Sequence, residues 1–168
     1  MPNRNAPPPS VSPSSTIPPT PMSLSPSGLA FIQRHEGYGA TIYHDSAGYP
    51  TIGSGHLIKP GEDYSNGITR EQASHLLAKD TKTAADAVNA KVVTRLTQPQ
   101  FDALVDFTYN LGAAALSRSI LLENLNSGTP VVLKNFTDWN LAAGKVVHGL
   151  TRRRTDEFNL FAKGEYGA

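Results

Sequence analysis

The chain contains no cysteine, which removes disulfide frameworks, thiol nucleophiles and zinc–thiolate sites together. Histidine is sparse, with five in 168 residues. None sits in an H-E-x-x-H or comparable spacing, so neither a metal site nor a cofactor is expected. Excess charge is missing too. The formal net charge is +1 and traces to Arg4; the other 14 basic residues balance the 14 acidic ones. A nucleic-acid binder would show a strongly basic face, and the short cluster Arg152-Arg153-Arg154 does not make one. No apolar run is long enough for a signal peptide or a membrane anchor. A single domain that is not stably inserted in a membrane fits this length.

What is present divides at about residue 27. Residues 1–27, MPNRNAPPPSVSPSSTIPPTPMSLSPS, are mostly Pro and Ser, with no acidic and no aromatic residue. Such a stretch lacks the apolar surface to order itself and reads as a disordered or polyproline-like tail or linker, dispensable for folding. A sharper reading makes it a tether to a delivery partner.

From residue 28 to 168 the pattern is globular and α+β. Leu29, Phe31, Ile32 and Glu36 fall at near-helical spacing, with Ser25 or Ser27 as cap and Gly37 and Gly39 as stops. Short strands are expected over 41–45 and 49–58, in a β-lobe spanning about 40–67. Thr69 and Gln72 form a capping box, which starts a helix over about 70–91 joining two lobes. The helical lobe, about 92–168, opens with a second helix start at Thr97. There Phe101, Leu104, Val105, Thr108 and Leu111 share one stripe, and Gly112 closes the helix. Further helices are expected over Ser117–Asn126, from Thr129-Pro130 to about Asn140, and over Thr151–Lys163. Trp139 is expected in the core.

The chemistry concentrates in HEGYGATIYHDSAGYPTIGSGHLI, residues 35–58. Glu36, Asp45 and Thr51 are spaced E-x8-D-x5-T, with the Glu closing a helix and the other two flanking a turn. Taken singly, each residue has an ordinary explanation: a solvated helix end, a turn former, a β-branched strand residue. Jointly they do not. A Glu in a last helical turn faces the negative end of the helix dipole, where a cation is preferred. Gly37, Gly39, Gly53 and Gly55 cost chain entropy unless backbone must come close to backbone or ligand. Two carboxyls and a hydroxyl gathered this way suit hydrolysis of a glycosidic bond: one acid protonates the leaving oxygen while its partner holds a water.

The segment resembles the phage-type lysozymes, whose motif is a helix-terminal Glu, a hairpin Asp and a Thr followed by Ile-Gly-x-Gly-His. It stands here as Glu36, Asp45 and Thr51-Ile52-Gly53-Ser54-Gly55-His56. Two more blocks, QFDALVDFTYNLG (100–112) and GLTRRRTDE (149–157), carry the likeness over about residues 28–163. The resemblance implies a lysozyme-like fold, with a small β-hairpin lobe, a larger helical lobe, a long joining helix and a cleft between the lobes. It also implies an endo-acting muramidase of bacterial peptidoglycan, with Glu36 as acid and Asp45 and Thr51 orienting water, in a reaction that inverts the anomeric carbon. The sequence itself leaves inversion and retention open, because it does not give the carboxylate separation. By the same likeness Leu57, Tyr109, Asn110, Ser119 and Arg153 would contact substrate, Arg153 would pair with Glu36, and His56 would form a structural ion pair with Asp80. A monomer held in the host cytoplasm is expected, released to the wall by a holin-type pore or a delivery partner. Alternatives are a delivered antibacterial effector, a virion-borne lysin, a non-catalytic peptidoglycan-binding domain, and chitin as substrate.

Overall fold

The computed structural model describes residues 19–167; the expectations for residues 1–18 lie outside it. Ser25 caps the first helix, α1 (Pro26–Glu36), its hydroxyl accepting from the Gly28 amide, with Pro26 in the first turn. Three antiparallel strands follow in the order β1 (Gly39–His44), β2 (Pro50–Gly53) and β3 (His56–Leu57). The strand expected over 49–58 is thus broken in two at Ser54-Gly55. Gly53 and Gly55 both have positive φ, 66° and 89°, so they turn the chain where an extended ladder would have continued.

The joining helix is also two, α2 (Arg70–Asp80) and α3 (Lys82–Lys91), rather than one over 70–91. The capping box at Thr69 and Gln72 is present. The break falls at Thr81, whose buried hydroxyl donates to the carbonyls of Leu77 and Ala78. A threonine bonding back to its own helix disturbs the ladder, and no Gly or Pro marks the place.

The second capping box, Thr97 with Gln100, opens α4 (Gln98–Leu111), closed at Gly112. Every residue from Phe101 to Thr108 is buried, so α4 is the axle of the helical lobe, with α1, α3, α5 and α8 packed around it. Phe107 meets Phe136 and Trp139 edge-on, at 5.9 and 5.8 Å between ring centroids. Trp139 packs on the core as expected.

Three boundaries differ from expectation in this lobe. Helix α5 (Ala113–Arg118) follows Gly112 at once, and the next helix, α6 (Ile120–Ser127), is capped by Ser119 rather than Ser117. Helix α7 covers only Leu133–Thr137, not the longer stretch from Thr129-Pro130 to Asn140. A small hairpin, β4 (Leu141–Ala142) with β5 (Lys145–Val146), then leads into α8 (His148–Lys163), which starts before Thr151. Ala143 turns that hairpin with φ 50°, a conformation that its side chain does not advertise.

Order also begins earlier than residue 28. The backbone of Met22 exchanges two hydrogen bonds with the Asn89 side chain, at 2.9 and 2.8 Å, and Met22 and Leu24 pack on the core. Buried Asp102 accepts from the Ser25 amide, the Ser25 hydroxyl, Gln98 and the Tyr166 hydroxyl. Residues 22–27 therefore belong to the folded body and not to a tail. Their few apolar side chains are enough because Asn89 and Asp102 satisfy the backbone and hydroxyl groups directly.

Candidate active site

Glu36 ends α1, and its chain direction changes at Gly37, φ 76°. Phe31 and Ile32 anchor the helix in the core, so the carboxyl is delivered from a fixed base. Its side chain is 19% exposed, and Oε1 accepts from Arg153 Nη2 at 2.7 Å. The β-lobe reaches the same carboxyl through Gly55. A Cβ placed there would lie 3.3 Å from Glu36 Oε2 and 3.7 Å from the Tyr109 hydroxyl. Any larger residue would crowd the acid, and the positive φ disfavours one independently.

Arg153 comes from α8 and forks onto Asp106 of α4, with Nε to Oδ2 at 3.0 Å and Nη2 to Oδ1 at 2.8 Å. Burial works against its charge, but Asp106 and Glu36 outweigh that and raise its pKa further. The expected Glu36–Arg153 pair is therefore present, held from behind by a buried carboxylate. His35, next in the chain, sits 3.4 Å from Asp156. Its pKa is lowered, mainly by burial and in part by Arg153, against the pull of Asp106.

Asp45 lies in the β1–β2 turn. One carboxylate oxygen, Oδ1, accepts from the amides of Ala47 and Tyr49, both at 2.9 Å, which locks the turn and fixes the carboxyl plane. Thr51 sits on β2, 2% exposed, and donates its hydroxyl proton to the Tyr49 carbonyl at 2.8 Å. Its cross-strand partners are Tyr43 and Leu57, so Tyr43, Thr51 and Leu57 share one face of the sheet. Leu57 is half exposed there.

Tyr43 was not singled out by sequence reasoning, yet burial and the charges of Glu36 and Asp45 together push its hydroxyl pKa upward. Its hydroxyl donates to the Gly53 carbonyl at 3.5 Å. The available signal was the strand period, which puts it two residues before Asp45 and opposite Thr51. Tyr109 is half-buried beside Glu36, and burial with that carboxylate raises its pKa strongly.

Two residues expected at the substrate make hydrogen bonds within the protein. Asn110 accepts from Arg154 Nη2 at 2.8 Å. Ser119 is buried, donating to the Leu116 carbonyl and accepting from the Leu122 amide, which commits both functions of its hydroxyl to capping α6.

His56 pairs with Asp80 through Nδ1 at 2.7 Å, as expected, and with Glu62 through Nε2 at 2.8 Å. Glu62 was missed because it lies in a loop with no periodicity. Burial opposes the imidazolium, but Glu62 and Asp80 prevail and raise the pKa above 6.5. Among the described residues no group of His, Asp and Glu is arranged to hold a metal, and no helix is long and apolar enough to cross a membrane.

A two-lobed α+β body with a helix-terminal acid facing a glycine-turned hairpin defines the lysozyme-like class of fold. A family model described as phage lysozyme matches residues 33–157, and the chain belongs to that family. It is 40% identical over 149 residues to an endolysin of Bacillus phage B103, covering 86% of this chain and 56% of that protein. To the endolysin of Salmonella phage P22 it is 37% identical over 144 residues, 83% of this chain and 98% of that one. Among solved structures, the endolysin from Escherichia coli O157:H7 phage FAHEc1 superposes with a TM-score of 0.77 at 35% identity. That match covers 88% of this chain and 98% of the other. The chain spans little more than half the length of the Bacillus phage relative.

Proposed function

We propose that this protein is a muramidase that hydrolyses the β-1,4 bond between N-acetylmuramic acid and N-acetylglucosamine in peptidoglycan. In this reading it serves as an endolysin in phage release. The observation that carries it is the arrangement around Glu36: a partly shielded carboxyl fixed by Arg153, facing the hairpin that presents Asp45 and Thr51.

Glu36 protonates the glycosidic oxygen of the leaving sugar. Asp45 uses Oδ1 on the turn, which leaves Oδ2 as an acceptor for one proton of the attacking water. The Thr51 hydroxyl gives its proton to Tyr49, so its lone pairs can take the other. Two acceptors and no competing donor orient a water with its oxygen toward the sugar. That division of labour supports a single displacement with inversion. Leu57 on the sheet and Tyr109 beside Glu36 would flank the glycan. Asn110 would meet the glycan only through its amide nitrogen, since its Oδ1 accepts from Arg154, while the buried Ser119 hydroxyl is committed to the cap of α6. Release from the host cytoplasm through a holin-type pore is part of the same proposal.

The test is turbidity loss of outer-membrane-permeabilised Gram-negative cells, with mass analysis of the released muropeptides and of chitin oligomers run in parallel. Products ending in N-acetylmuramic acid support the reading; chitin fragments alone, or binding without cleavage, would sink it. Early product followed by NMR should be the α-anomer. A first-formed β-anomer means a covalent intermediate and retention.

A further inference from the structure

Beneath Arg153 lies a group of charges that the reaction above does not use. Asp106 and Glu157 are both fully buried, on α4 and α8. Arg153 gives one N–H to each oxygen of Asp106, which leaves both with acceptor capacity. Glu157 accepts from Arg154 Nη2 through Oε1 at 2.6 Å, while its Oε2 is buried with no hydrogen-bond donor in reach. A bare carboxylate oxygen in that setting carries a heavy desolvation cost. A proton on that oxygen would find an acceptor nearby, because Asp106 and Glu157 meet the same guanidinium, Asp106 Oδ2 at 3.0 Å and Glu157 Oε1 at 3.9 Å from Arg153 Nε. Charge balance agrees. With Glu157 ionised, three carboxylates (Glu36, Asp106, Glu157) face two guanidiniums; with Glu157 protonated, the count is two against two.

We propose that Glu157 is held as the carboxylic acid and donates Oε2–H to Asp106, and that the pair positions Arg153 and offsets its charge beside Glu36. A chain of hydrogen bonds results, running Glu157 to Asp106, Arg153 to Asp106, and Arg153 to Glu36. Without it, a lone guanidinium against Glu36 would favour the ionised carboxyl and oppose proton donation. Burial, the bond to Asp106 and its charge all hold the Glu157 proton on, overriding Arg154 and Arg153. Burial pushes the Asp106 pKa up, but the bond to Glu157 and the Arg153 guanidinium outweigh it and hold it below the ordinary carboxylate value.

The groups facing the pair are His35 and Glu36 from α1 and Arg153 and Arg154 from α8, with Asn110 from α4 tied to Arg154. Helix α7, packed on α8, pairs its Lys134 with Asp138 at the surface. The coupling to Glu36 rests on the proposed reading of that residue as the acid; the shared proton does not.

The first test is stability against pH for Glu157→Gln, an isostere that keeps both the acceptor for Arg154 and a donor for Asp106. A carboxyl whose folded pKa is raised gives stability present below its unfolded value, near 4.5, and lost as pH rises through the folded value. The variant should therefore gain on the unaltered protein as pH climbs from about 5 to 8. A variant that falls behind over that range means an ionised Glu157 and overturns the pair. In the unaltered protein, the ¹³C carboxyl signal of Glu157 should still be that of the acid at about pH 6. A carboxylate signal there overturns the pair even if the variant does not fold.

For the coupling, Asp106→Asn should move the alkaline limb of the lysis profile about one pH unit lower. If that variant does not fold, the ¹³C titration of Glu36 must carry a second inflection where Glu157 titrates. An unmoved limb, or a single inflection, overturns the coupling. Retained activity in Glu36→Gln would instead remove the acid assignment and leave the carboxyl pair standing.

Discussion

The cluster around His56 and the cluster beneath Glu36 use the same residue types in opposite settings. In the β-lobe a buried imidazole bridges Asp80 and Glu62, which are 19% and 27% exposed. Water still reaches the carboxylates, so their pairing with the imidazole costs little desolvation, and the group ties β3 to α2 and the following loop. Under Glu36 the carboxyls of Asp106 and Glu157 have no exposure at all. There every charge must be matched by a partner or a proton. The lesson is that solvent access decides what a charge cluster does: the one open to water on its carboxylate side ties elements together, and the fully buried one must match every charge within itself.

The sharpest way to break that contrast is at the acid. Glu36→Gln should leave a folded protein with lysis reduced by about 10²–10⁴-fold, the usual share of a general acid. More than about a tenth of activity remaining would end its assignment. His56→Asn, by comparison, should change no step of the chemistry. Next comes Arg153→Met, which strands Asp106 as an uncompensated buried carboxylate. Breaking such a pair costs on the order of 3–5 kcal/mol, to be read by urea unfolding at neutral pH. A loss below about 1 kcal/mol would place the pair on the same footing as a surface bridge.

A chain starting at Ser25 removes the packing of Met22 and Leu24 and both bonds to Asn89. The expected loss is about 2–4 kcal/mol, visible as a melting midpoint several degrees lower. An unchanged midpoint would return residues 22–24 to the tail. The smallest effect belongs to the His56 clamp. Its raised pKa means that its contribution is present below about 6.5 and lost as pH rises through the folded value. The double-mutant cycle of His56→Asn with Asp80→Asn should give a coupling of about 0.5–3 kcal/mol at mildly acidic pH, shrinking above it. A coupling that grows with pH would reverse the sign and sink the clamp.

The side chains proposed as the acid and the water-holding pair carry signals that are local in the sequence. A helix-terminal Glu, a turn Asp and a glycine-flanked Thr lie within sixteen residues of each other, and capping boxes at Thr69 and Thr97 announce two helices outright. What stayed hidden depends on distant partners. Asp106 and Glu157 look like solvated helix charges, and Glu157 sits at i+4 from Arg153, the spacing of an ordinary surface pair. The sign that was available is that α4 contains FDALVDF, with aspartates inside a run otherwise apolar. A helix buried all round can carry such residues only if they are partnered. The break at Thr81 and the hairpin at Ala143 have no local signature, since tertiary packing selects a conformation that the residue types merely tolerate. Ser119 shows the converse: a polar letter at an aligned position was already committed to a cap.

The bond from Arg153 to Glu36 spans 117 residues of chain, and that span has a consequence in time. At bacterial synthesis rates, roughly 6–23 s separate the emergence of the acid from that of its partner. Until α8 leaves the ribosome, Asp106 has no guanidinium, α4 lacks the helix that covers it, and the chain cannot close its core. A half-made polypeptide thus carries the whole E-x8-D-x5-T motif with nothing behind it. Under the proposed function no lytic capacity arises before α8 has been translated, so a chain cut short ahead of α8 displays the motif without the groups that hold it.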